Sequence, residues 1–259
     1  MNLGREFGLS KKTINDFFED GIEDPNILNF CHSDINQMYT QLPKPSQYQS
    51  WDTSGKRYVH LEEVQFVVRH LVRNGTPLKN RRALILSGSD PALACLPWAM
   101  SGLVSEFDAY EKAIDPYFIA RGKLEKELQK IIDCSSGNKK IELNLIYKNC
   151  FKVKNKEYGI IDLDFCNNQL KDYTQRNLLF DLINRIAPKT GPFVFRTTLH
   201  IGRTNNSKEE VEENIEAFER RLKIGNSPSN RFIVKAFERS PYQSTLPMIA
   251  LTWILERKK

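Results

Sequence analysis

From His60 to Arg73 the chain reads HLEEVQFVVRHLVR, and Leu61, Val64, Val67, Val68, Leu71 and Val72 recur at spacings of three and four. That period lays an apolar stripe along one side of a helix, so the segment predicts a core-facing helix ended by Asn74-Gly75. Beyond it the pattern shortens. Apolar runs rich in β-branched and aromatic residues occur at ALILSG, SEFDAYE, IELNLIY, YGIIDLDF, PFVFRTTLHIG, FIVKAFE and MIALTWILE. Helix-compatible stretches separate them, except that RSPYQSTLP joins the last two at hairpin length. The alternation predicts an α/β fold built on a three-layer, seven-stranded, mostly parallel sheet with helices on both faces. A C-terminal antiparallel β-hairpin closes the sheet, because a strand returning through so short a turn must run against its neighbour.

Residues 1–57 follow another pattern, polar and rich in Asn and Gln. GLSKKTINDFFEDG offers Ser10 as an N-cap, apolar Ile14, Phe17 and Phe18, and a stop at Gly21, which predicts a short helix. QLPKPSQYQSWDTSGKR, Gln41 to Arg57, supplies prolines and small polar residues and reads as a loop. The expected organisation is an N-terminal, mainly helical extension over 1–57 and an α/β domain over 58–259.

Composition narrows the class. The 259 residues are 40% hydrophobic and contain no apolar run of the roughly 20 residues needed to cross a bilayer, so a soluble chain without a membrane partner is expected. The N-terminus lacks an apolar segment followed by a small-residue cleavage site, which points to an intracellular location, cytoplasmic and nuclear being indistinguishable. Five cysteines, Cys31, Cys95, Cys134, Cys150 and Cys166, are widely spaced without a Cys-x-x-Cys pair, and the four histidines form no ligand pattern. Reduced thiols and no metal site are expected. The net charge is +6, with local groups at Lys79/Arg81/Arg82, Lys139/Lys140, Lys148/Lys152/Lys154/Lys156 and Arg257-Lys258-Lys259. Such a balance fits an acidic partner, because bound phosphates release counterions, and it fits a solvated surface equally well.

Candidate chemistry gathers at strand ends. ALILSGSDPALACLPW breaks at Ser87-Gly88-Ser89-Asp90, where Asp90 suits a helix N-cap and Pro91 the first helical position. SEFDAYEK ends in Glu111, 23 residues after Gly88, close to the distance at which α/β nucleotide binders place a ribose carboxylate. YGIIDLDFCNNQ delivers Asp162 and Asp164 at the end of an apolar strand, and strand period two turns both onto one face. Two like charges on one face are costly without a cation, donor or substrate to satisfy them, which makes the pair a functional-site candidate. Arg196, His200 and Arg203 lie on or just after the fifth strand, where phosphate or substrate can be met.

Seven strands with a closing hairpin resemble the class I S-adenosylmethionine-dependent methyltransferase fold, over roughly residues 60 to 256. The resemblance implies S-adenosylmethionine as cofactor. It places Ser87, Gly88, Ser89 and Asp90 in the loop wrapping the methionine end, although one glycine stands where two or three are usual, and it makes Glu111 the ribose acid. Asn149, in NLIYKNCFKV, falls where the family often contacts the adenine amine; it is equally suited to a turn. Asp162 and Asp164 look like the fourth motif, and their Asp-Leu-Asp is similar to that of some tRNA guanine-N2 methyltransferases, without the proline that follows there. Asp162 then serves both cofactor and catalysis, and Asp164 orients or deprotonates the acceptor. Asp164 with Lys235 and Glu238 gives a loose echo of the Lys-Asp-Lys-Glu set of 2′-O ribose methyltransferases. No Asn/Asp-Pro-Pro-Tyr/Phe/Trp or Pro-Cys motif occurs, and Cys166 reads as a buried thiol more readily than as a C5 nucleophile. The expected function is a methyltransferase acting on nucleic acid, RNA favoured over DNA. The alternatives are a non-catalytic binding or assembly subunit of the same fold, and a protein or small-molecule methyltransferase.

Overall fold

The apolar stripe is the buried side of a helix longer than the stripe itself. In the computed structural model, which describes residues 25–42, 54–135, 141–154, 156–165, 169–201, 207–225, 231–244 and 247–258, it belongs to α3, Ser54–Asn74. The helix expected around Ser10, most of the loop from Gln41, Cys166 and Arg203 lie outside the described residues. Gly75 ends α3 with φ 58, a conformation costly to residues bearing a Cβ. Two shorter helices, α1 (Pro25–His32) and α2 (Ile35–Gln41), pack on α3. The Gln65 side chain donates to Phe30 O at 3.0 Å and Ser33 O at 2.9 Å, and Arg69 Nε donates to Cys31 O at 3.1 Å. Ile27, Phe30, Cys31 and Met38 are thereby buried in the same core as Leu61 and Val64, and the line drawn at 57/58 falls inside α3.

The strands are β1 (Arg82–Leu86), β2 (Glu106–Glu111), β3 (Glu142–Tyr147), β4 (Ile160–Leu163), β5 (Pro192–His200), β6 (Phe232–Gln243) and β7 (Pro247–Arg257). They form one sheet in the order β3-β2-β1-β4-β5-β7-β6. The first five are parallel, and β7 runs antiparallel to both β5 and β6. Strand pairing takes in more of RSPYQSTLP than its composition suggests, because β6 continues through Gln243, which pairs with Pro247 of β7. Pro241 is tolerated there since β6 is the sheet edge, where a missing N–H leaves no partner unsatisfied.

Strand alternation sorts the side chains onto two faces. Ala83, Ile85, Ile160, Val194 and Ile254 meet α3, α4 (Pro91–Met100) and α6 (Leu124–Cys134) on one side. Leu84, Ile161, Leu163, Phe193 and Phe195 meet α7 (Tyr173–Ile186) and α8 (Lys208–Ile224) on the other. A further helix, α5 (Ile114–Gly122), follows β2. Between β3 and β4 only a 3₁₀ turn, Cys150–Lys152, occurs among the described residues. The start of α8 is a complete capping box, with Ser207 Oγ accepting from Glu210 N and the Glu210 carboxylate accepting from Ser207 N. No described helix is long and apolar enough to cross a membrane.

One topological feature positions the site. β1 and β4 are central neighbours, and the chain leads away from them in opposite directions, through β2 and β3 on one side and β5 on the other. The crevice outside their carboxyl ends is where open α/β sheets bind ligands.

Candidate active site

A cavity of about 360 Å³ lies at those carboxyl ends, within the range of small-molecule sites. Ser87, Gly88 and Asp90 from the turn after β1, Glu111 from β2, Asn149 after β3, and Asp162, Asp164 and Arg196 all line it.

Gly88 adopts φ 54, so the turn after β1 takes a conformation that favours glycine. Ser87 is buried, and its Oγ has no hydrogen-bond partner among the described residues. Ser89 is buried beside it but outside the lining. Asp90 occupies the N-cap position of α4 with Pro91 following, yet its side chain makes no capping bond; it pairs with Lys123. The α4 N-terminus is served instead by the buried Glu127, whose Oε2 accepts from Ala92 N at 3.2 Å. With Lys123 on its carboxylate, Asp90 is already compensated without a cofactor ammonium.

Glu111 Oε1 accepts from Ala113 N at 2.7 Å, which fixes the carboxylate while leaving Oε2 as an acceptor for a ligand. Asn149 is a turn residue and a wall residue at once. Its Oδ1 accepts from Phe151 N at 3.0 Å and starts the 3₁₀ turn, so its amide N–H groups are the remaining ligand-directed function. Phe151 and Phe165 stack with ring centroids 5.6 Å apart and 2° between planes, and form an apolar wall.

The floor is a buried polar network. Asp162 Oδ1 accepts from Arg196 Nη1 at 2.9 Å, Oδ2 accepts from Trp98 Nε1 at 2.8 Å, and His60 Nε2 lies 3.1 Å from Oδ2. Arg196 Nε donates to Glu63 Oε2 at 2.7 Å, and Thr252 donates to Glu63 Oε1 at 2.8 Å. Asp164 pairs with Lys56 at 2.5 Å and accepts from Thr198 at 2.5 Å. Both aspartates share a face, as period two requires, and the cations that such a pair demands are Arg196 and Lys56.

These contacts divide the charge. Burial opposes ionisation of Asp162, but Arg196, His60 and the Trp98 indole outweigh it and bring the carboxyl down to about 2. Burial opposes ionisation of Asp164 as well, and Lys56, Arg196 and Thr198 hold it well below the usual carboxylate range. Burial pushes Glu63 up to about 7, against Arg196 and Thr252. Burial and Arg196 push His60 below its ordinary value. One guanidinium between two carboxylates thus ionises Asp162 and leaves Glu63 as the group that titrates near neutrality.

The substrate-contact expectations fare unevenly. Arg196 is fully buried and serves as counter-ion to Asp162 and Glu63, because an inward position on central β5 cannot reach a surface phosphate. His200, at the end of β5, is outside the lining, and its Nδ1 has no partner among the described residues. Lys235 pairs with Glu256 at 2.9 Å on edge strand β6, away from the cavity, so the echo through Lys235 and Glu238 does not assemble. The lysine that meets Asp164 is Lys56, from a segment read as loop. Glu63 also escaped the sequence reading, although it sits four residues before Val67, within the apolar stripe of α3, where a charge signals a buried partner.

No family model matches the sequence, and no curated protein matches it. Among solved structures, a Pyrococcus horikoshii protein assigned as an RNA methyltransferase superposes with a TM-score of 0.51 at 9% identity, covering 87% of this chain and 98% of that one. An N-methyltransferase of Bradyrhizobium japonicum in complex with S-adenosyl-L-homocysteine gives 0.48 at 9% identity, covering 87% and 98%. An rRNA methylase of Streptococcus thermophilus gives 0.44 at 12%, covering 78% and 96%. The strand order and closing hairpin, together with the first of these, establish the fold as the class I methyltransferase fold.

Proposed function

We propose that this chain is an S-adenosylmethionine-dependent methyltransferase acting on nucleic acid, RNA in preference to DNA. The observation that carries the reading is the convergence of Ser87, Gly88, Glu111, Asn149, Asp162 and Asp164, from the ends of four strands, on one cavity at the sheet's switch point. The residues fit the cofactor. Ser87 Oγ is buried without a hydrogen-bond partner among the described residues, and Glu111 retains a carboxylate oxygen for vicinal hydroxyls. The Asn149 amide suits a ring nitrogen, and the stacked Phe151 and Phe165 give a flat apolar wall. When bound, the cofactor supplies an electrophilic methyl group.

Asp162 holds the cavity floor in place, anchored by Arg196 and Trp98. Asp164 lies next to it with a strongly depressed proton affinity, which makes it a poor base and a good hydrogen-bond acceptor. It therefore orients an acceptor N–H or O–H at its carboxylate rather than removing the proton, and Lys56 Nζ and Thr198 Oγ1 keep that carboxylate ionised and fixed. Lys112 and Lys148 at the rim are exposed and form no ion pair among the described residues, which with a net charge of +6 favours a polyanionic substrate.

A second reading, a binding subunit of the same fold, draws on the single glycine of the turn and on the Asp90–Lys123 pair. Methyl transfer from labelled cofactor to RNA, DNA and protein separates the readings. Label is expected in RNA, with Asp164→Asn losing incorporation while retaining S-adenosylhomocysteine binding. Label in protein alone, or incorporation unchanged in Asp164→Asn, overturns the assignment.

A further inference from the structure

Helix α5 places its apolar residues on the outside. Of Ile114–Gly122 only Ala120 is buried, while Phe118 is 62%, Ile114 54% and Ile119 46% exposed. Short surface helices ordinarily turn such residues inward, and among the described residues this face has nothing to cover. Beside it Tyr147, 52% exposed, ends β3, the parallel sheet's edge strand. The Tyr117 ring lies 5.0 Å from that of Tyr147 and 5.6 Å from that of Phe118, so the three rings form a continuous row.

The row leads to the active-site cavity. Tyr147 is in register with Glu111, and Lys148 N donates to Glu111 O at 3.0 Å, which brings Lys112 and Lys148 to the junction between the aromatic row and the cavity rim. Arg121, exposed on α5, adds a third cation, against Asp115 and Glu111. Exposed Phe118 and Tyr147 flanking a half-buried Tyr117, beside lysines that form no ion pair among the described residues, suit a single nucleic-acid strand, bases stacking on the rings while phosphates meet the cations. A protein partner would account for the exposed isoleucines but gives no role to the lysines.

We propose that α5 and the end of β3 form a docking face for single-stranded RNA, with Tyr117, Phe118 and Tyr147 as base-stacking platforms and Lys112 and Lys148 as phosphate contacts leading to the cavity. The proposal rests on the nucleic-acid methyltransferase reading and specifies where the strand outside the reacting nucleotide lies.

The test is fluorescence anisotropy of a labelled uridine oligomer of about ten nucleotides, in parallel with calorimetry of S-adenosylhomocysteine on the same proteins. Tyr117→Ala/Tyr147→Ala is expected to weaken RNA binding by roughly 10-fold or more, with S-adenosylhomocysteine affinity and thermal midpoint unchanged. Lys148→Gln is expected to lower the slope of log K against log salt by about 0.7. Unchanged RNA affinity in the double variant overturns the docking face even if RNA is methylated. So does sedimentation showing a wild-type dimer that Phe118→Ala converts to monomer, which assigns the face to a second copy. RNA affinity lost in the tyrosine variants without methylation of any RNA upholds the face and overturns the RNA-methyltransferase reading alone.

Discussion

Glu63→Gln isolates the one carboxylate of the buried network that titrates near neutrality. Glutamine fits the same site: its carbonyl accepts from Arg196 Nε, and its amide donates to Thr252 Oγ1, which as a hydroxyl both donates and accepts. Burial raises the Glu63 carboxyl from its ordinary 4.5 to about 7. Each tenfold change in proton affinity corresponds to about 1.36 kcal/mol, so folding and deprotonation of Glu63 oppose each other by about 3 kcal/mol. The sign follows from the raised value. Stability from the protonated acid is fully present below pH 4.5 and is lost as pH rises through about 7. His60 works the other way, because a neutral buried imidazole is favoured as pH rises. Asp162 matters only at lower pH, where its folded value of about 2 lies under the ordinary 3.8. The difference between wild type and Glu63→Gln cancels both of these terms. Urea denaturation from pH 4.5 to 8 should therefore show wild-type stability falling relative to the variant by about 3 kcal/mol, levelling above pH 7. A difference that stays flat across this range would refute the reasoning, since it would mean that Glu63 remains ionised and Arg196 serves two charged partners equally.

Arg196→Met removes the cation between two buried carboxylates and is expected to cost about 3–5 kcal/mol at pH 7.5 by urea denaturation, and less at pH 5, where Glu63 holds its proton. Loss of less than about 1 kcal/mol at both pH values contradicts the network. Gly159→Ala places a Cβ 1.8 Å from Asn80 O, a backbone atom that cannot swing away, so unfolding free energy should drop by about 1–3 kcal/mol; an unchanged thermal midpoint contradicts this close approach of β4 to the chain before β1.

The sheet was legible because each strand carries its own apolar run, and the short connection before MIALTWILE dictated an antiparallel final strand. The reach of β6 to Gln243 was hidden by Pro241, which reads as a breaker unless the strand is known to lie at the edge. Asp162 and Asp164 were legible as a pair from strand period alone. Their partners were not. Arg196 and Glu63 are 133 positions apart in the chain, and only the fold brings α3 over β5. Lys56 looked like part of a loop because Ser54–Arg57 is polar, yet it begins α3 and meets Asp164. The turn after β1 is legible as a boundary, but its cap comes from Glu127 on α6, and local sequence cannot report an acceptor 35 residues away.

The central claim, that the cavity at the ends of β1 to β4 holds the nucleoside and amino-acid parts of S-adenosylmethionine, is tested most directly by calorimetry with S-adenosylhomocysteine. Saturable one-to-one binding is expected for the wild type. Glu111→Ala should weaken it by roughly 10-fold or more, the loss of a charge-assisted hydrogen bond being worth about 1.5–3 kcal/mol. No saturable heat at millimolar ligand, or equal affinity in Glu111→Ala, would contradict the account.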